Sequence, residues 1–341
     1  MHILFILKNR TAHSGMTSGL LNSATFVADH LNSIFTDKRI ASIAHVNDAN
    51  EVDRVVTQLD PDIVIIEALW ITPAKLQEIL SITRHRRRKW VIRVHSKTPF
   101  LANEGIAMPW IKDYCKIKYD NLFIAPNTEE LTTQLKAVYK PWKIIYLPNL
   151  YKFRYNKPTR KKISSTTIDV GCFGALRPMK NTLQQAMAAI EFAESKKKHL
   201  RFHVNTSRLE QGGENVLKNL RGMFLATEHD LIEHTWYSHL DFLNLIAQMD
   251  IGMQISLSES FNIVTADFVS MGVPIVVSND IDWITGDLKV NPNSHTEAVK
   301  ALDRGYNSFI RPVIQKLSLK CYLNNAERVW DKFLFEFDTH A

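Results

Sequence analysis

Two carboxylates eight residues apart, Glu259 and Asp267, flank the start of a helix-like run in SESFNIVTADFVSMGVP, residues 258–274. Gly272 suits the position after a helix and Pro274 blocks its continuation, which makes IVTADFVSM the helix and LSESFN the loop before it. The first backbone N–H groups of a helix have no partner within it, so the segment around Phe261, Asn262, Ile263 and Val264 is a ready anion site. An anion held there leaves Glu259 beside whatever the anion carries. Asp267, a turn further on, could then take paired hydrogen bonds from vicinal hydroxyls. Each acid also fits a plainer role: Glu259 as a solvated loop residue, Asp267 as a complement to the helix dipole.

A second constellation lies in FGALRPMKN, residues 173–181, again between a strand-like run and a helix-like run. Gly174 permits a tight turn there, and Arg177 and Lys180 supply positive charge at a helix N-terminus, a combination that suits an anion. Weaker candidates come earlier in the chain. His95 follows the apolar run WVIRV, and the loop NRTAHSGMTSG carries Gly15 and Gly19, which would allow a close backbone approach. No metal site is expected. The Asp-x-Asp at 280–282 follows a strand-like run, and His229, His234 and His239 recur every five residues, which suits no helical ligand face and reads as polar loop.

The elements that must position these groups are legible in the apolar pattern. Runs at 3–7, 63–66, 90–94, 122–125 and 144–147 are continuous rather than alternating, as expected of strands buried on both faces of a parallel sheet. Between them, spacings such as Leu20, Ala24, Val27, Leu31 and Ile34 place apolar residues on one helix face. The texture turns polar and basic over 151–166, and Pro158 interrupts it. Strand-like runs then resume at 168–174, 200–204, 230–234, 250–256 and 274–278, and a helical tail follows. The expected organisation is α/β, with two Rossmann-like domains facing across a cleft. They comprise residues 1–150 and 167–307, a linker over 151–166, and a helical tail over 308–341 that packs back on the first domain. Ligands in such sheets bind beyond the carboxyl ends of the strands.

Composition agrees with two ordinary cores: 341 residues, 45% hydrophobic and 23% charged. Three dispersed cysteines without a CxxC pair argue against a disulfide scaffold or zinc cluster and suit a reducing compartment. The opening MHILFILKNR reads as a first strand rather than a signal peptide, and no apolar run spans a bilayer. A cytoplasmic protein is expected. Its net charge of +7 favours an anionic partner.

Taken together, the motifs resemble those of retaining glycosyltransferases of family 4, which have the two-domain GT-B fold. Ser256, Glu259, Phe261-Asn262-Ile263 and Asp267 occupy the places of the family's Ser-x-x-Glu, Phe-Gly-Leu-like tripeptide and second acid. Asn262 stands in place of the usual Gly, and Asp267 in place of the usual Glu. Lys180, six residues after Gly174, matches the family's diphosphate-binding Lys. Ala175 replaces the usual Arg, with Arg177 two residues on. The resemblance spans most of the chain and is specific in 171–181 and 256–274. It implies transfer of a sugar from a nucleoside diphosphate to a hydroxyl acceptor, with retention, without metal and without a cofactor. In that scheme Glu259 holds the sugar, Asp267 the ribose, Lys180 and Arg177 the leaving diphosphate, and His95 the sugar or acceptor. Ser256 and the tripeptide line the donor site, and the Gly15–Gly19 loop approaches it.

Two basic segments bear on the acceptor. RHRRRK at 84–89 lies at the amino end of a strand, away from the expected cleft. YKFRYNKPTRKK at 151–162 interleaves aromatics with Arg154, Lys157, Arg160, Lys161 and Lys162, a composition that suits phosphate neutralisation with base stacking and equally suits solvated charge. The chain also looks like phage-type DNA glycosyltransferases, which decorate hydroxymethylated pyrimidines flipped from the duplex. Double-stranded DNA with modified bases is therefore the first expected acceptor. A cell-surface glycan or lipid-linked acceptor is the second reading. A non-catalytic protein that binds nucleotide sugars or nucleic acid is the third.

Overall fold

The computed structural model describes residues 1–9, 19–35, 39–139, 141–153 and 164–338. The chain divides into two units: Met1–Lys152 with the chain from Leu323 onward, and Phe153–Tyr322. Each is a parallel sheet between helices. The first sheet comprises β1 (His2–Lys8), β2 (Ile40–Val46), β3 (Ile63–Glu67), β4 (Lys89–Val94) and β5 (Leu122–Pro126), in the order β2-β1-β3-β4-β5. The second comprises β6 (Thr167–Gly171), β7 (His199–Asn205), β8 (Asp230–His234), β9 (Ile251–Gln254), β10 (Ile275–Ser278) and β11 (Lys289–Val290), in the order β11-β10-β9-β6-β7-β8. Every strand pair is parallel.

Central strands are apolar throughout because both faces are covered. Ile63, Val64, Ile65 and Ile66 of β3 are all buried. The edge strand β2 carries no such run, and its part-exposed IASIAHV pattern explains why apolar content alone does not announce it. The expected strand at 144–147 is a correction. Ile145 and Leu147 donate backbone hydrogen bonds to Ile124 and Pro126 beside β5, but only an isolated bridge forms, after the 3₁₀ turn Pro141–Lys143.

In the second unit the helix Ile263–Met271 lies unusually close to the sheet. Gly171 of β6 and Gly252 of β9 are paired, and the Phe268 ring fills the space that a Cβ on either would need. The long helix Ile310–Asp338 begins in the second unit and ends in the first. The tail is thus shared by the two units. Its Trp330 is wholly buried, packs on Phe5 and donates through Nε1 to the Pro148 carbonyl at 2.9 Å. No helix among the described residues is long and apolar enough to cross a membrane.

Candidate functional site

The order of the second sheet identifies its ligand crevice. From β6 the chain moves outward to β7 and β8, then returns to place β9 on the other side of β6. The crevice of a doubly wound sheet opens at such a reversal, beyond the strands' carboxyl ends. The loop after β6 is 173–181 and the loop after β9 is 255–262, so both sequence motifs flank this one switch point.

Several bonds fix the two loops to each other. Leu257 N–H donates to the Met179 carbonyl at 2.9 Å. The Asn181 side chain donates to the Ile255 carbonyl at 3.3 Å and to the Pro292 carbonyl at 2.9 Å. Gln254 donates to the Phe173 carbonyl at 2.8 Å and accepts from the Asn262 amide at 2.8 Å. Gly174 adopts φ +117°, where a side chain would be strained. Within this frame the Lys180 ammonium is hydrogen-bonded to Glu259, and Asn262 donates to the same carboxylate oxygen at 3.2 Å. Glu259 N–H in turn donates to Asp280. Burial pushes the Glu259 carboxyl up, but Lys180 and the Arg177 guanidinium more than offset it, so its pKa lies below the usual 4.5.

Asn262 explains its own departure from glycine. It has φ 56°, ψ 86°, in left-handed territory that Gly and Asn tolerate, and it caps the helix Ile263–Met271 by accepting from Thr265 N–H at 2.8 Å. Ile263 opens that helix. Other expected donor contacts point inward. Ser256 is 0% exposed, and its hydroxyl has no hydrogen-bond partner among the described residues. Phe261, 2% exposed, stacks on Tyr322, and its carbonyl accepts from Trp283 Nε1 at 2.6 Å. Asp267 is 1% exposed and hydrogen-bonded to His239 Nε2 at 2.7 Å. The structure therefore brings Glu259, Lys180, Arg177 and Asn262 together at the crevice, with Ser256, Phe261 and Asp267 beneath it. His239 corrects the loop reading of the spaced histidines: it is buried at the head of the helix His239–Ile246.

Sequence reasoning passed over Arg208 and Glu210, in the loop after β7. Glu210 accepts from Arg177 at 3.0 Å and from Arg208 Nε at 2.7 Å. Their signal is position alone, at the carboxyl end of the strand next to β6.

In the first unit the reversal falls between β1 and β3. Gly19 opens the helix Gly19–Ile34 beyond β1, while Gly15 lies outside the described residues. His95, just past β4, is hydrogen-bonded through Nε2 to the buried Glu67 that ends β3. Glu67 also accepts from Arg93 at 2.9 Å, and Arg93 reaches Asn149 at 2.9 Å. Burial raises the Glu67 carboxyl, yet Arg93 and His95 hold it below the usual value; burial outweighs Glu67 and lowers His95. A neutral imidazole with its Nε2–H on a carboxylate follows. Sequence reasoning passed over Glu67, which directly follows the apolar run 63–66.

Two arginines of the basic loop are paired with acids of the segment 53–60. Arg84 is held by Asp53 at 2.7 Å, and the buried Arg88 by Asp60 at 2.7 Å. Of the aromatic-basic stretch, Tyr151 is buried against Phe26, whereas Arg154, Lys157, Arg160, Lys161 and Lys162 lie outside the described residues. No group of three or more His, Cys, Asp or Glu that could hold a metal ion occurs among the described residues.

Compared with protein-family profiles and with curated protein sequences, the chain has no match. Among solved structures it is similar to the sucrose-phosphate synthase of Thermosynechococcus elongatus, with a TM-score of 0.74, 9% identity and 100% of both chains covered. It is similar to Anabaena HepE in complex with UDP and glucose, with a TM-score of 0.70, 13% identity, 98% of this chain and 100% of that one. A TarM mutant of S. aureus, in complex with Fondaparinux, α-GlcNAc-glycerol and UDP, gives a TM-score of 0.62 at 13% identity. There 83% of this chain spans 57% of the other. These likenesses carry the fold: two parallel-sheet α/β domains of the GT-B type.

Proposed function

We propose that this chain is a retaining, metal-independent glycosyltransferase that uses a nucleoside-diphosphate sugar. The observation that carries the reading is the Lys180–Glu259 pair, with Arg177 nearby, at the switch point of the second sheet. Its fold agrees, and two of the similar structures hold UDP. In this reading the diphosphate meets Lys180 and Arg177 and the N-terminus of the helix Ile263–Met271, and Glu259 turns to the sugar hydroxyls. The acceptor oxygen bonds to the anomeric carbon on the face from which the diphosphate departs. The broken C–O bond leaves its electron pair on a phosphate oxygen, which takes the acceptor proton. Asp267 accepts from His239 and is buried, so a ribose contact would need a change in its surroundings. In the first unit His95, held by Glu67, is the residue assigned to the sugar or acceptor.

For the acceptor, a carbohydrate hydroxyl has more support than a hydroxymethylated pyrimidine in DNA. Arg84 and Arg88 have their charge committed to Asp53 and Asp60, and Tyr151 is buried rather than open to a base. DNA is kept as the second acceptor reading, on the strength of the +7 charge and the basic stretch.

The test is a mass shift on saccharides and on hydroxymethylcytosine duplex DNA, after incubation with a panel of nucleotide sugars. Transfer is expected to persist in EDTA, and Lys180→Ala to slow it by about 100-fold or more, the scale of losing one charge-stabilising donor. A Glu259→Ala variant with wild-type turnover, or loss of transfer to chelation, would sink the corresponding part of the proposal.

A further inference from the structure

Arg208 and Glu210 sit beside the proposed donor site for a reason that has nothing to do with their own charges. Leu176 N–H donates to the Arg208 carbonyl at 3.0 Å, Glu210 N–H donates to the Leu176 carbonyl at 2.9 Å, and Leu176 and Leu209 form a parallel bridge. The loop after β7 is thereby zipped to the loop that carries Arg177 and Lys180, and Arg208 comes to share a carboxylate with Arg177. Glu210 takes Arg177 Nη1 on one oxygen at 3.0 Å, and on the other Arg208 Nε at 2.7 Å and Nη2 at 2.6 Å. The Arg208 guanidinium also lies 5.3 Å over the Trp236 ring. Both arginines and Glu210 remain partly open to solvent, at 16%, 15% and 23% of their side chains.

Resting on the donor reading above, we propose that Arg208 is a further diphosphate-binding residue. Glu210 is the internal anion that occupies Arg177 and Arg208 until a diphosphate displaces it. One carboxylate carries a single charge across two guanidinium forks, whereas a diphosphate offers more charge and more acceptor oxygens to the same two forks. Exchange therefore favours the ligand, and Glu210 returns to water. Stacking on Trp236 keeps the Arg208 guanidinium in place after Glu210 leaves, so its ordering cost is already met in the free protein. Lys180 follows the same logic. Its ammonium rests on Glu259 and is released when a phosphate takes it. The site thus carries its own counter-ions, three cations held by two acids.

The experiment measures binding of UDP, and separately of inorganic pyrophosphate, to the full chain and to Glu210→Gln and Arg208→Gln. Glu210→Gln is expected to tighten both ligands by roughly 3- to 10-fold, and Arg208→Gln to weaken both by about 10-fold, the scale of one charge-assisted pair. A purely structural bridge predicts the opposite for Glu210→Gln, because a loosened loop binds less. Unchanged or weaker pyrophosphate binding in Glu210→Gln therefore overturns the proposal, and so does unchanged binding in Arg208→Gln. Should Arg208→Gln not fold, Glu210→Gln decides alone. If the variants move pyrophosphate binding as expected while no nucleotide binds, the anion site stands and the nucleotide-sugar reading fails.

Discussion

Asn262 has two separable roles, one in its backbone and one in its side chain. The left-handed φ and the cap on Thr265 N–H concern folding, and the amide bond to Glu259 concerns the site. Asn262→Ala keeps neither: it loses the cap and the local hydrogen bonding by which Asn, unlike Ala, tolerates left-handed backbone, a cost of roughly 2 kcal/mol. Asn262→Gly tolerates the backbone and is expected to stay within about 1 kcal/mol of the wild type in urea unfolding, while losing the amide bond to Glu259. A Gly variant as unstable as the Ala variant would show that side-chain bonds, not φ, hold this turn. The same residue shows what sequence reading could see. A missing glycine looked like a departure from the motif; in the structure it is a second solution to the same backbone demand. That Lys180, Arg177 and Glu259 share one switch point was legible because their placement follows from strand–loop–helix order. The burial of Asp267 was not legible, since its partner His239 lies 28 residues away and no local pattern joins them.

At the scale of elements, sheets were readable where strands are buried on both faces, and less so at edges. β2 and β11 carry too little apolar sequence to stand out, and the run at 144–147 has strand composition without a full ladder. The edge of the second sheet carries a polar chain instead. Asp169 of β6 accepts from His203 of β7 at 2.8 Å, and His203 Nδ1 meets His234 Nε2 of β8 at 2.9 Å. Burial, with added repulsion from His203, pushes His234 down from 6.5 to about 4. The unfolded chain therefore takes up a proton at a higher pH than the folded one. The contribution of His234 to stability is complete above pH 6.5 and is lost as pH falls from there toward 4. Urea unfolding of the wild type and of His234→Gln should diverge accordingly, the wild type losing about 1 kcal/mol more between neutral pH and roughly pH 5 once solvent screening is discounted. Parallel pH profiles would place the titration elsewhere.

For the whole molecule, the long last helix matters most, because one continuous element is divided between two units. Its role in the first unit was expected from the sequence only as a tail that packs back. The anchor, Trp330, could not be singled out among several aromatics. In the structure Trp330 packs on the buried Phe5 of β1 and ties the Pro148 carbonyl, and the Arg93 guanidinium lies 5.4 Å from its ring. Arg93 in turn holds Glu67, and Glu67 holds His95. The helix is thus part of the packing that fixes the one histidine assigned a role in this unit. Trp330→Ala should cost the first unit about 3–5 kcal/mol, the range for truncating a fully buried large aromatic. The residues proposed to bind the diphosphate, Lys180, Arg177 and Arg208, belong to the other unit, so nucleotide binding should outlast transfer. Calorimetry is then expected to show the first unit melting earlier while UDP still shifts the second transition. A single transition lowered as a whole would mean instead that the shared helix makes the two units fold as one.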